Sequence, residues 1–321
     1  MFKRLLNECK IDLTLRPEGA LLIKSGLAQV SGVDMAWVTV DRNGTKEVYL
    51  PGSSLKGTIR SHAERIARTL NDSAACNTLG GKRDKLRSCG SALDIMKGDK
   101  KQIDLSTPTV YQHSCPLCRL FGNTWIMGRL ATKDAYAVGE APKPQQRDGV
   151  GIDRFTGGAS RGAKFELEVI TGGQFKTALH LQNFELWQLG LIGFVLQDLR
   201  DGLVRMGSGK SRGLGKVVAE VGNLTLHYIG AKEKIVEADH LNLLGAGALF
   251  AEAEKYGMVK DDRLQVPKGQ TTVKVNLRQT LAFTFGDFPW KEVGSKWVSY
   301  AQAFKDRLDK KYRGEEATDG K

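Results

Sequence analysis

Leu50-Pro-Gly-Ser-Ser-Leu-Lys-Gly-Thr-Ile-Arg60 is the stretch from which the rest of the chain can be read. Pro51-Gly52 makes a turn, the two serines supply capping hydroxyls, and the spacing that follows predicts a helix through Leu70. Upstream, residues 10–23 begin with the alternation of a half-buried strand, and residues 24–48 read as a loop of small and polar residues. Downstream, residues 71–114 are polar, charged and without clear period, as in an insertion. A second strand is expected within 127–137 and a projecting loop over Gly139–Gly151. Lys164–Ile170 alternates as a third strand, Phe184–Leu199 has helical spacing, and Gly215–Val221 with Leu224–Tyr228 closes the pattern as strand.

The order strand, helix, strand, strand, helix, strand predicts an α+β fold with a ferredoxin-like (RNA-recognition-like) βαββαβ palm. The domain reading is a palm over 1–230, with an insertion at about 71–120, and a C-terminal extension over 231–321. In that extension Val236–Tyr256 and Trp290–Tyr312 look helical, and Thr271–Leu277 looks like a strand.

The chain has 321 residues, 41% of them hydrophobic, enough for an ordinary core, which excludes global disorder. No apolar run approaches the ~18 residues of a membrane helix, and the first residues lack a secretory signal's apolar stretch. The expectation is a soluble, cytoplasmic protein with no membrane partner. A net charge of +12 favours a polyanionic partner. Ten of those twelve excess charges fall within residues 1–164, a bias that a uniform solubility coat would not produce.

Two stretches are suited to phosphate. At the helix start, unpaired amides and the positive dipole end would sit beside Ser53, Ser54 and Lys56, with Arg60 one turn on. In Arg205-Met-Gly-Ser-Gly-Lys-Ser-Arg-Gly-Leu-Gly-Lys216, glycines admit close backbone approach while Lys210 and Arg212 supply charge. Gly-Ser-Gly-Lys-Ser is not a nucleotide P-loop, because Val204 stands where that motif needs glycine and the preceding segment is helical.

Four of the five cysteines lie within 76–118. Cys115-Pro-Leu-Cys118 has the spacing of half a structural zinc site, which two of Cys76, Cys89 and His113 would complete. Cys9, before the first strand, is expected to pack in the core.

The helix-opening Pro-Gly-Ser-Ser-Leu-Lys-Gly, then Cys-Pro-Leu-Cys-Arg-Leu-Phe-Gly122, Ile152-Asp-Arg-Phe-Thr-Gly157 and Gly-Lys-Ser-Arg-Gly-Leu-Gly215 occur in the order found in the RAMP superfamily. Over residues 10–230 the chain resembles the backbone subunit of a type III CRISPR effector complex. The resemblance implies an RNA-binding palm, a guide RNA and a target RNA as partners, and association with other RAMP and large effector subunits. It also implies a thumb at about 135–165, in which Arg147, Arg154 and Arg161 contact phosphates and Phe155 wedges against a base.

In family members that cleave target RNA, the essential Asp lies in the loop before the helix-opening motif. Of Asp34 and Asp41, Asp34 in Ser31-Gly-Val-Asp-Met-Ala-Trp37 matches that place better, although Met35-Ala36-Trp37 departs from the commoner, Pro-richer step. There it would bind a divalent cation, Mg2+ or Mn2+, or help deprotonate a ribose 2′-hydroxyl. Two alternatives remain: a guide-RNA scaffold without cleavage, and a guide-precursor endonuclease with His62 or another residue as general base.

Overall fold

The computed structural model describes residues 3–26, 33–42, 44–99, 105–230, 235–269 and 271–314. The chain opens with β1 (Asn7–Pro17), in which Cys9, Ile11, Leu13 and Leu15 are fully or almost fully buried while Lys10 and Arg16 stay exposed. This period of two gives the sheet one core face and one polar face. A hairpin, β2 (Thr39–Arg42) and β3 (Thr45–Leu50), occupies part of the expected loop and leads into α1 (Gly52–Leu70). The expected helix is therefore present, and it buries Leu55, Ile59, Ala63 and Ala67 at helical spacing.

The insertion is more ordered than its composition suggests. A 3-10 turn at Asp72–Ala74 is followed by α2 (Cys89–Asp99), α3 (Thr107–Gln112) and α4 (Pro116–Phe121). The second strand is split into β4 (Leu130–Thr132) and β5 (Ala135–Ala137), both antiparallel to β8 (Phe175–Gln182). Between them in sequence, β6 (Gln145–Ile152) and β7 (Ala159–Val169) form a separate two-stranded hairpin. Lys164–Ile170, expected as the third strand of the main sheet, is thus mostly an arm of this hairpin. The sheet strand is β8, whose Phe175, Thr177, Leu179 and Leu181 are buried.

Helix α5 (Leu186–Arg200) is buried on nearly every side and starts with a capping box in which Glu185 and Gln188 satisfy each other's backbone amides. The last strand of the expected order, β9 (Val217–Tyr228), is continuous and pairs antiparallel with β1. The C-terminal part is built into the same layers. Val236–Tyr256 is not a helix: it forms β10 (His240–Leu244), the short α6 (Ala246–Leu249) and a 3-10 turn, and β10 pairs with β11 (Arg263–Pro267). Leu241, Leu243 and Leu244 found buried partners in this small ladder, which overrode their helix-like spacing.

Strands β12 (Thr272–Val275) and β13 (Gln279–Phe283) extend the main sheet through β9, giving nine antiparallel strands ordered β12-β13-β9-β1-β8-β5-β3-β2, with β4 also on β8. Helix α7 (Trp290–Ala303) packs on α5, where Trp187 stacks between Trp297 and Tyr300 at centroid distances of 5.8 and 4.2 Å. Gly190 permits this approach, since a Cβ there would lie 2.3 Å from the Val293 carbonyl oxygen. The last element is the single turn α8 (Lys310–Arg313). No described helix is long and apolar enough to cross a membrane.

Candidate nucleic-acid interface and metal centre

Three segments distant in sequence meet at the base of the β6–β7 hairpin. The Asp34 loop lies along β7, with Met35 N–H donating to the Glu166 carbonyl (3.1 Å) and Glu168 N–H to the Met35 carbonyl (3.0 Å). The exposed Asp34 carboxylate accepts the Glu166 amide at 2.9 Å, and Glu168 accepts the Trp37 amide at 2.8 Å. Buried Trp37 anchors the far side of this loop. Ser31 and Gly32, the first half of the Asp34 motif, lie outside the described residues. Asp41 is on β2, opposite Lys46, away from the hairpin ladder.

The glycine-rich loop closes the second side. Gly207, Gly209, Gly213 and Gly215 all have φ between +70° and +88°, a region that side-chain-bearing residues rarely adopt. Ser208 and Gly215 amides donate to the Leu22 and Ala20 carbonyls, both at 2.8 Å, and a Cβ at Gly207 would lie 2.1 Å from the Leu22 oxygen. The loop is therefore held close against the segment after β1 and is not a slack connection. Arg212 lies over the Phe165 ring at 5.5 Å, and Phe165 in turn covers Gly149. Met35, Arg147, Phe165, Ser208 and Arg212 line the resulting cleft of about 210 Å³.

The other residues expected at an RNA surface are dispersed. Arg154 and Phe155 are exposed at the hairpin tip, roughly 17 Å along the strand from the cleft, and Arg161 on the returning arm, roughly 13 Å away, at ~3.3 Å per strand residue. Phe155 is fully exposed, so it belongs to no core. At the start of α1, Ser53 is exposed and Ser54 half-buried, but the Gly52 amide already donates to Asp134 at 2.7 Å. Lys56 is lowered from its usual pKa by burial and then by Arg60, and Lys210 by burial and then by Arg65 of α1. An arriving phosphate would favour the charged form of both lysines.

Arg60 is committed to the fold. Its guanidinium reaches Glu64 (3.1 Å), the Gly122 carbonyl (3.1 Å) and Cys118 Sγ (3.6 Å). His62 is likewise a packing residue between helices, with Nε2 2.5 Å from Asp198 of α5 and Nδ1 2.6 Å from the Arg65 guanidinium. Because Nδ1 faces an obligate donor, Nε2 is the ring N–H and donates a hydrogen bond to the Asp198 carboxylate. Cys9 is fully buried, and burial raises its thiol pKa.

The insertion gathers Cys76, Cys89, Cys115 and Cys118, whose sulfurs all lie within 4.8 Å of one another. The Cys76–Cys118 separation of 3.6 Å exceeds a disulfide's ~2.05 Å and suits neighbouring ligands of a tetrahedral ion with ~2.3 Å metal–sulfur bonds. Cys115 caps α4 and Cys118 lies within it, so the CxxC spacing turns both sulfurs inward; Cys89 opens α2 and Cys76 follows the 3-10 turn. The Cys89 thiol is lowered well below its ordinary value by hydrogen bonding with Cys115, Cys118 and Cys76, against the opposing effect of burial, and the Arg313 charge lowers it further. These four cysteines could hold a metal ion such as zinc. His113 is outside the set, with Nδ1 donating to the Thr109 carbonyl one turn back at 2.8 Å.

A family model described as the RAMP superfamily matches residues 36–218. The chain belongs to the RAMP superfamily. Membership suggests CRISPR-associated RNA binding and multi-subunit assembly. The match in this RAMP protein begins two residues after Asp34 and ends within β9, so Asp34 and the C-terminal layers lie beyond it. No curated protein matches the chain.

Sequence reading missed the side chains that complete these sites in the RAMP protein. Glu168 was visible only as part of the polar half of an alternating strand, yet its carboxylate holds the Asp34 loop at Trp37, beside the backbone of Glu166. Arg313 has no local motif at all, and it donates to Cys89 Sγ at 3.3 Å from the other end of the chain.

Proposed function

We propose that this RAMP protein is a guide-RNA-binding backbone subunit of a type III CRISPR interference complex, which cleaves complementary target RNA at regular intervals. The observation that carries the reading is the cleft at the hairpin base, where the Asp34 loop, Arg147 and Arg212 are brought together. In this reading β9, β1, β8 and β4 with α1 and α5 are the ferredoxin-like palm, residues 1–230 are the palm domain, and the β6–β7 hairpin is the thumb. The neighbours in the complex are other RAMP and large effector subunits, in the cytoplasm. Ser53, Ser54, Lys56, Arg154, Arg161 and Lys210 contact RNA phosphates, and Phe155 at the tip separates bases.

Cleavage follows from the RNA's own nucleophile. With a nucleotide displaced at the hairpin base, its 2′-hydroxyl attacks the adjacent phosphorus in line. The 2′-O–P bond forms, the P–O5′ bond breaks, the leaving 5′-oxygen takes a proton from solvent water, and the ends are a 2′,3′-cyclic phosphate and a 5′-hydroxyl. Asp34 accepts or positions the 2′-hydroxyl proton, and Arg147 and Arg212 offset charge on the phosphate. Among the described residues no carboxylates or histidines converge on Asp34 to make a protein-only cation site.

The alternative of a guide-RNA scaffold without cleavage is supported by one contact, the Asp34 carboxylate's role in anchoring its own loop to Glu166. Reconstituted complex with complementary RNA decides between the two. Evenly spaced cuts that fall at least ~100-fold in Asp34→Ala and persist in Asp41→Ala support cleavage at this cleft. No cuts from the wild-type complex, with Mg2+ or Mn2+ supplied, would leave the scaffold. A chelator arm reads whether either cation is required. Cutting of free precursor RNA that is lost in His62→Ala would instead favour processing.

A further inference from the structure

The cysteine cluster is bordered by three guanidinium groups, Arg60, Arg68 and Arg313, and by two carboxylates, Glu64 and Asp306. Arg313 is 7% exposed, with Nε donating to Asp306 at 2.6 Å and Nη1 pointing at Cys89 Sγ at 3.3 Å, while its buried Nη2 has no hydrogen-bond partner among the described residues. A guanidinium does not deprotonate in a protein, so burying one requires an anion nearby. Four neutral thiols are weak acceptors and leave a surplus positive charge there. Four thiolates around a divalent ion carry a net charge of −2 and accept N–H···S bonds, so the donor set and its surroundings fit the metal-bound form.

Arg313 belongs to a segment held by a small set of contacts. Helix α8 is one turn, too short to persist alone. Leu308 and Tyr312 pack in a small satellite core with Ala92, Leu93, Met96 and Val110, separate from the main one. Backbone ties run to the loop before Cys89, with Arg87 N–H donating to the Arg313 carbonyl at 3.2 Å and Arg87 Nη1 to the Lys311 carbonyl at 2.8 Å, and Arg307 Nη1 donates to Gln112 Oε1 of α3 at 2.5 Å. That loop leads directly into the metal ligand.

We propose that the cysteine centre, in its metal-bound thiolate form, is the latch that docks residues 305–314 onto the insertion, with Arg313 as the positioning residue that couples the two. Metal binding and docking of the segment then favour each other, and by linkage each must report on the other. The inference is independent of the RNA reading. It concerns what the metal holds in place and would stand if the protein cut nothing.

The test uses the full chain, Zn2+ and trypsin, because Lys305, Arg307, Lys310 and Lys311 are exposed on the segment. Zinc-loaded protein is expected to be cut at these sites at least ~10-fold more slowly than protein stripped by a chelator. Arg313→Gln should lose about 10- to 100-fold in zinc affinity, measured by competition with a chromophoric chelator. Leu308→Ala, which touches no sulfur, should also lower zinc affinity by loosening the segment from its apolar side. Equal tryptic rates with and without zinc, or unchanged zinc affinity in both variants, would overturn the latch. Cleavage throughout the main sheet as fast as at 305–314 in stripped protein would overturn it too, since the metal would then hold the whole fold.

Discussion

The hairpin-base cleft and the cysteine centre are both assembled from segments far apart in sequence, but they are built in opposite ways. At the cleft the key side chains are exposed or half-exposed, and backbone contacts hold their loops: Asp34 through Glu166, and the glycine-rich loop through Leu22 and Ala20. At the centre three of the four cysteines are buried, and side chains from α1 and the C-terminus close around them. Groups that must meet a large, exchanging ligand are left solvated on a rigid backbone. The cysteine sulfurs are withdrawn from water and cross-tied by charged neighbours. Positive charge separates the two as well. Arg147 and Arg212 line an open cleft, whereas Arg60 and Arg313 face sulfur.

That contrast can be broken most sharply at the centre. If the four cysteines hold a metal, Cys118→Ala removes one ligand, and metal content should drop from about one per chain to near zero, with a clear fall in thermal stability on unfolding by circular dichroism. Retained metal and stability would mean that the cluster is an ordinary thiol core. A smaller effect is expected at the cleft. Arg147→Ala and Arg212→Ala should each weaken RNA binding, and each should reduce the slope of log affinity against log salt by about 0.7–0.9, with folding intact. An unchanged slope would make Arg212 a packing partner of Phe165 only. The smallest effect on stability is expected from Phe155→Ala, within about 0.5 kcal/mol, because the ring contacts no core. A larger loss would show that the tip is buried in the free protein.

Much of the main sheet and the helices packed on it was legible from local pattern. The alternation of β1, the turn and helix at Pro51–Leu70, and the apolar spacing of α5 each follow from residues within a few positions of one another. The third sheet strand was misassigned because Lys164–Ile170 and Phe175–Gln182 alternate equally well. Alternation says that a strand has two faces, but not which partner it pairs with. The C-terminal region was the least legible, since the short β10 and α6 owe their form to neighbours that a window of sequence does not contain.

The sequence by itself determined the chemistry available: a CxxC with two further cysteines close by, a glycine-rich loop whose φ angles demand glycine, and a positive charge concentrated in the first half. Only the tertiary structure decided how that chemistry is used. It gathered four cysteines and left His113 outside, turned Arg60 from a surface helix toward Cys118, and brought Arg313 to Cys89. The physical reason is range. Backbone conformation and periodicity are set by near neighbours, whereas a buried charge takes whichever partner the packed layers deliver, and that partner can lie at the other end of the chain.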